Sequence, residues 1–233
     1  MKIAVISIPQ IPPGKHNIKD SRLDLIEESF KSRTKTYAYA ELIDESKVAE
    51  ADVILAPEDA RLDLILKDLE FVTARLNQVE SESEKKLLAE FKTALEKEAF
   101  LSGLILSEED KKVVSHYGLL TLKPIFIVTS DELQDLNKLI VKVLKDTGYI
   151  TFFTANEKEA KAWLIKSSTT AWEAAGKIHT DIQRGFIRAE VISSEDLLKQ
   201  ASVHQAKQAG ALHLVQKDYI VKDGDLLHFR FNV

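Results

Sequence analysis

Apolar and polar positions alternate along this chain in two rhythms. Residues 2–8 form a mostly apolar, β-branched run flanked by Pro9, Pro12, Pro13 and Gly14, which predicts a buried strand ending in a loop. Residues 20–30 place Leu23, Ile26 and Phe30 at helical spacing. Residues 37–43 alternate apolar with small or polar side chains and read as a strand, and 52–55 as another short one. Leu62, Ile65, Leu69, Val72, Leu76 and Val79 then repeat at three- and four-residue intervals, an apolar helical seam. The acidic stretch Glu80-Ser81-Glu82-Ser83-Glu84 reads as a turn, after which Leu88, Phe91, Leu95 and Ala99 resume the helical period. Two helices with a short polar link predict an antiparallel hairpin within one chain, and the same seam is compatible with a homodimer.

Ser107 precedes Glu108-Glu109-Asp110, an N-cap with an acidic first turn. Residues 124–129 predict a strongly apolar strand. Leu133, Leu136, Ile140, Val143 and Leu144 mark a helix stopped by Gly148. From Tyr149 onward, short strands at 150–154, 162–165, 186–192, 219–221 and 226–231 alternate with short helices. Lys222-Asp223-Gly224-Asp225 is a tight-turn signal between the last two strands. The expectation is α/β plus α+β. A reduced Rossmann-like sheet of about four strands (1–58 and 103–148) carries an inserted helical hairpin (59–102), and a second module covers 149–233.

Composition narrows the function classes. The chain has 233 residues, 45% hydrophobic and 30% charged, which suits a folded protein with a real core. No apolar run approaches a membrane span and no secretory signal is visible, so a cytoplasmic protein with no membrane partner is expected. Cysteine is absent, which excludes disulfides, thiolate catalysis and Cys-ligated zinc. Residues 1–148 carry 21 basic and 27 acidic side chains, and 149–233 carry 11 and 10, so neither part has the basic surface of a duplex-DNA binder. The hairpin segment holds 7 basic and 10 acidic residues, a balance that favours a protein partner over RNA phosphates.

Several phrases resemble the Obg-like ATPase (YchF) family. They are Tyr149-Ile150-Thr151-Phe152-Phe153-Thr154-Ala155, Ala175-Gly176-Lys177-Ile178-His179-Thr180-Asp181 and Arg184-Gly185-Phe186-Ile187-Arg188-Ala189-Glu190-Val191. The endings Lys217-Asp218-Tyr219-Ile220-Val221-Lys222-Asp223-Gly224-Asp225 and His228-Phe229-Arg230-Phe231-Asn232-Val233 are similar to the family as well. So are Lys67-Asp68-Leu69-Glu70, Ala74-Arg75-Leu76, Gly118-Leu119-Leu120-Thr121-Leu122-Lys123-Pro124 and Asp20-Ser21-Arg22-Leu23-Asp24. The resemblance implies a P-loop-type nucleotide domain with a helical hairpin, followed by a β-grasp TGS domain, in proteins that hydrolyse nucleotides and associate with ribosomes.

The chain departs from that family where the chemistry sits. A P-loop needs G-x-x-x-x-G-K-[ST], so that backbone N–H groups face the phosphates while the lysine and hydroxyl complete the site. Here the first strand runs into Ser7-Ile8-Pro9-Gln10-Ile11-Pro12-Pro13-Gly14-Lys15-His16, where three prolines remove three backbone donors. The D-x-x-G element keeps Asp44 but has Lys47 at the glycine, and Ser130 stands where the resemblance implies a base-reading Asn. The expectation is therefore a non-catalytic binding protein with no catalytic residue, no cofactor and no metal, contacting ribosome, RNA or a protein partner. The alternative is an ATP or GTP binding protein or hydrolase with an unorthodox site. The RNA- or partner-binding candidates are Lys177, His179, Arg184, Phe186 and Arg188. The cations and His179 supply donors for phosphate, and Phe186 offers a stacking face; the alternative places Phe186 in the core and His179 in a fold-supporting hydrogen bond with Asp181. The six histidines show no metal-ligand spacing. Trp163 reads as core, and Trp172 as a partly exposed residue opening a helix.

Overall fold

The computed structural model describes residues 1–200 and 203–232, without the side chains of Val203 and His204. The chain divides into two compact units, Met1–His16 with Ala40–Leu136, and Asn17–Tyr39 with Asn137–Val233. The elements run β1 (Lys2–Val5), β2 (Gly14–Asn17), α1 (Ser21–Phe30), β3 (Thr34–Thr36), β4 (Tyr39–Asp44) and β5 (Val53–Pro57). Next come α2 (Arg61–Leu76), α3 (Glu82–Glu96), α4 (Glu108–Val114), β6 (Ile125–Val128) and α5 (Leu136–Asp146). The remainder is β7 (Tyr149–Ala155), β8 (Glu159–Lys166), α6 (Ala171–Ile178), α7 (Thr180–Arg184) and β9 (Phe186–Ser193), then α8 (Ser194–Leu198), α9 (Val203–Gln208), β10 (His213–Val215) and β11 (Asp225–Phe231).

The first unit holds a five-stranded sheet in the order β2-β4-β1-β5-β6. The strands β4, β1, β5 and β6 are mutually parallel, with Ile3 beside Leu42 and Val53, and Ile54 beside Ile125. Parallel strands are covered on both faces, which is why these segments read as apolar runs. Ile3, Ala4, Ile54 and Leu55 are fully buried. The edge strand β2 is added to the four strands expected from sequence; its Gly-Lys-His-Asn text carries no strand pattern.

The helical seam holds except at its first residue. Ile65, Val72 and Val79 are buried and Leu69 and Leu76 pack against the same core, while Leu62 is 50% exposed and Leu64 and Asp68 are buried in addition. Glu82 and Glu84, read as part of a turn, form the first turn of α3, where carboxylates complement the helix dipole. Ile65, Val72, Val79, Leu88 and Phe91 share one core with Leu101, Val114 and Leu119, so α2, α3 and α4 bury one another's apolar faces. Ser107 caps α4 as expected, exchanging bonds with Asp110 in a capping box.

The second unit is built on a six-stranded mixed sheet, β10-β9-β11-β7-β8-β3. The pairs β10–β9, β9–β11 and β7–β8 are antiparallel, whereas β11–β7 and β3–β8 are parallel. Small residues Ala171, Ala174 and Ala175 let α6 approach a core of Phe152, Val191, Leu227 and Phe229. Residues 219–221, expected as a strand, form only an isolated bridge from Ile220 to Thr170. The helix α1, expected to belong to the N-terminal α/β layer, and the strand β3, not anticipated from the sequence, lie within this second unit. Arg22 on α1 pairs with Asp20 (2.7 Å) and Asp223 (2.6 Å) and lies 5.4 Å from the ring centre of Phe153. Hydrogen bonding to Asp20, against the cost of burial, holds the guanidinium pKa above its usual value. Asp223 also accepts from Thr151 N (2.9 Å), so the turn before β11 is tied to both α1 and β7.

Candidate functional site

Parallel strands place their carboxyl ends along one edge, and in the first unit Val5 lies beside Asp44 while Pro57 lies beside Val128. β4 and β5 flank β1 on opposite sides, so the chain reverses its direction of winding there. Open α/β sheets bind ligands in the crevice outside that switch point. The loop leaving β1 at this edge is held by apolar anchors. Ile8 and Ile11 are buried, and Ile11 N donates to Ile8 O (3.1 Å), closing a turn with Pro9 at its second position. Ser7 has φ of 55°, a left-handed conformation that costs a non-glycine residue about 1 kcal/mol. With Pro9, Pro12 and Pro13 lacking N–H groups, the loop cannot offer the run of backbone donors found in a glycine-rich cradle. Asp44 accepts from Ser46 N (2.9 Å), and this bonding holds its carboxyl below the usual carboxylate range. Glu132 accepts from Thr129 N (3.0 Å), closing the loop after β6. Lys47 is the cation in the turn leaving β4.

In the second unit the five candidates separate. Lys177, His179 and Arg184 lie exposed at the junction of α6 and α7. His179 caps α7 by accepting from Asp181 N at Nδ1 (3.1 Å), and Arg184 sits 3.9 Å from Asp181. Phe186 is only 6% exposed and meets Phe229 edge-on at 6.0 Å, so its ring offers no face for a base. Of the two readings of Phe186 the core one holds and the stacking one is corrected: the register of β9 against β11 slips between Arg230 and Phe231, pairing Phe231 with Phe186 and Arg230 with Arg188. That bulge turns Phe186 onto the core face with Ala189 and Val191 and leaves Arg188 on the opposite face of the sheet, away from α6. Arg188 therefore neighbours a different group. Arg230 donates to Glu190 (2.8 and 3.2 Å), and Lys207 approaches the same carboxylate at 3.8 Å. Burial pushes Glu190 up, but the bond from Arg230 and the nearby charges outweigh it and hold the carboxyl low. The Glu190 cluster was missed in the sequence because its members lie 17 and 40 residues away from Glu190 and meet only through strand pairing. Trp163 stacks on Phe152 with Lys161 4.2 Å over its ring, and Trp172 is 40% exposed.

Comparison with known proteins adds what geometry alone does not. A family model described as YchF-GTPase_C, a protein of unknown function (DUF933), matches residues 149–232. The Bacillus subtilis protein named Ribosome-binding ATPase YchF is 32% identical over 76% of this chain and 66% of its own length. The Buchnera aphidicola protein of the same name is 31% identical over 93% of this chain and 75% of its own length. The chain belongs to the YchF family. The YchF protein of Escherichia coli O157:H7 is 50% identical over 98 residues, which is 42% of this chain and 27% of that protein. The chain thus spans less than two thirds of several curated relatives it matches. A solved structure, that of the Schizosaccharomyces pombe YchF GTPase, superposes with a TM-score of 0.79 over 99% of this chain and 97% of that one, at 18% identity. The mixed α/β architecture is therefore a YchF fold. The expectation of a non-enzyme is corrected here: YchF relatives aligned with most of the chain are named ATPases, which points to an enzyme. No helix among the described residues is long and apolar enough to cross a membrane.

Proposed function

We propose that this chain is a ribosome-associating nucleotide hydrolase of the YchF family that binds ATP or GTP at the carboxyl edge of its parallel sheet. The observation that carries the reading is the 31% identity over 93% of the chain to a relative named Ribosome-binding ATPase. The strand order supports the location, because the winding reverses beside β1, the place where open α/β sheets take their ligands. Phosphate contacts would come from side chains of that edge, Lys47 in particular, since the prolines after β1 withhold backbone donors. Residues 149–233 would serve as a β-grasp TGS domain and residues 59–102 as a helical hairpin offered to protein, both set on a nucleotide-type domain of 1–58 and 103–148. Within the TGS domain, Lys177, His179 and Arg184 would contact RNA phosphates from one face, with Arg188 acting on the other.

Two measurements test the reading separately. Thermal unfolding with magnesium and ATP or GTP should show a saturable rise in midpoint, because a ligand that binds the folded state stabilises it by mass action. Phosphate release should accompany it. The absence of both sinks the nucleotide part. Cosedimentation with ribosomes at low salt should place the protein in the pellet, and recovery only in the supernatant sinks the ribosome part.

A further inference from the structure

A cavity of about 610 Å³ opens in the first unit, far from the carboxyl edge of the sheet. Its lining includes Ala49, just before β5, and Lys123, just before β6, so it lies by the amino ends of the parallel strands. The volume falls in the range of small-molecule sites. The floor is apolar, formed by Leu104, Leu106, Leu119 and Leu122. Leu119 is buried, while Leu104 and Leu106 keep part of their surface in solvent. Between those two, Ile105 is fully exposed at the tip of the 100–106 loop, so the rim presents further apolar surface.

The polar part of the lining has one sign. Lys111, His116 and Lys123 contribute basic groups, Ser102 and Ser115 contribute hydroxyls, and no Asp or Glu is among the lining residues described. Lys123 Nζ donates to the carbonyls of Ala49 (2.9 Å) and Ala51 (2.6 Å), which orients its charge without neutralising it. Lys111 bonds Glu108 at 2.7 Å, but both side chains are more than half exposed. Such a pair is worth little in water, and Lys111 can exchange it for a ligand anion at small cost. An apolar floor under two lysines and a histidine, with no carboxylate in the lining, selects a molecule with an apolar body and an anionic end.

We propose that this cavity is a binding site for a soluble amphipathic carboxylate, with the acyl chain on the leucines and the carboxylate between Lys111, His116 and Lys123. The site lies at the opposite end of the parallel strands from the carboxyl edge. Isothermal titration of the full chain with decanoate, below its micelle concentration, tests it. Saturable binding at one site is expected, with decyltrimethylammonium and acetate failing to bind, since one carries the opposite charge and the other lacks the chain. Lys111→Glu should weaken decanoate binding about tenfold by replacing attraction with repulsion. Leu106→Asp should do the same by charging the floor. Unchanged thermal midpoints without ligand would show that both variants fold. Absence of saturable binding, equal binding of decyltrimethylammonium, or full decanoate affinity in both folded variants overturns the proposal.

Discussion

Asp68 on α2 and Thr121 in the segment leading to β6 are locked together out of reach of solvent. The Asp68 carboxylate accepts from Thr121 Oγ1 (2.6 Å) and Thr121 N (2.7 Å), and from Leu120 N (3.0 Å), while Asp68 is 3% and Thr121 0% exposed. A carboxylate in the helix's buried face is tolerated because three donors replace its water. Asp68→Ala would strand two backbone N–H groups and a hydroxyl in the interior. Since each unmet buried donor costs about 1–3 kcal/mol, the variant should lose about 3 kcal/mol or more in chemical denaturation. Thr121→Val should lose about 1.5 kcal/mol, and the double variant less than the sum. A loss under about 0.5 kcal/mol for Asp68→Ala would show that the carboxylate does not organise this segment.

Gly185 and Gly176 give a matched pair of opposite expectation. A Cβ on Gly185 would fall 2.1 Å from Asn232 O and 2.8 Å from its carbonyl carbon, where the end of β11 also bonds back through Asn232 N to Gly185 O (3.0 Å). Backbone cannot swing aside, so Gly185→Ala should destabilise by about 2–3 kcal/mol or detach the last residues from β9. A Cβ on Gly176 would meet only the end of the Gln183 side chain at 2.6 Å. That side chain can rotate, and alanine is the better helix former in α6, so Gly176→Ala should be near neutral or stabilising by up to about 1 kcal/mol. Equal costs at the two sites in thermal unfolding would refute the close-approach argument.

The same contrast explains which features were legible in the sequence. Local patterns delivered α1, α3, α4 with its Ser107 cap, α5 and the core strands, because period and capping chemistry are written in adjacent residues. Asp68 was not legible: the heptad pattern runs through the apolar positions Ile65, Leu69 and Val72, and nothing local says that a carboxylate beside them will meet donors 52 and 53 residues later. β3 was equally hidden, since Thr34-Lys35-Thr36 lacks alternation and gains its identity only by pairing with β8. The five site candidates were read as one cluster because they are close in sequence. A single-residue bulge in β9 splits them, and bulges have no sequence signature comparable to a helix cap.

Asp225 should make stability depend on pH in an unusual direction for a carboxylate. Burial raises its pKa against the bonds it accepts from Lys222 N and Tyr219 Oη, both 2.9 Å. A raised folded-state value means that the protonated form fits the fold better. The contribution is fully present below the unfolded value of about 3.9 and is lost as pH rises through the raised value. Asp225→Asn keeps an acceptor for both donors and removes the titration. Unfolding free energy of the parent chain relative to this variant should therefore fall as pH rises from strongly acidic conditions toward neutrality. A flat difference across that window would place the Asp225 pKa at its ordinary value.

If the α6–α7 junction meets RNA phosphates, its cations must appear in the salt dependence of ribosome binding. Arg184 is 83% exposed at its side chain, and its neighbour Asp181 lies at the long distance of 3.9 Å, so Arg184→Gln costs the fold little. Each phosphate contact removed should lower the slope of log affinity against log salt by about 1, as counterion release requires. Arg184→Gln with Lys177→Gln should therefore reduce the slope by about 2 and weaken binding at low salt more than at high salt. Arg188→Gln, on the other face of the sheet beside Arg230, should leave the slope unchanged if the ribosome engages only the α6–α7 face. The reverse pattern, with Arg188→Gln alone reducing the slope, would move the contact to the Glu190 face. No change in either variant would remove these cations from the interface altogether.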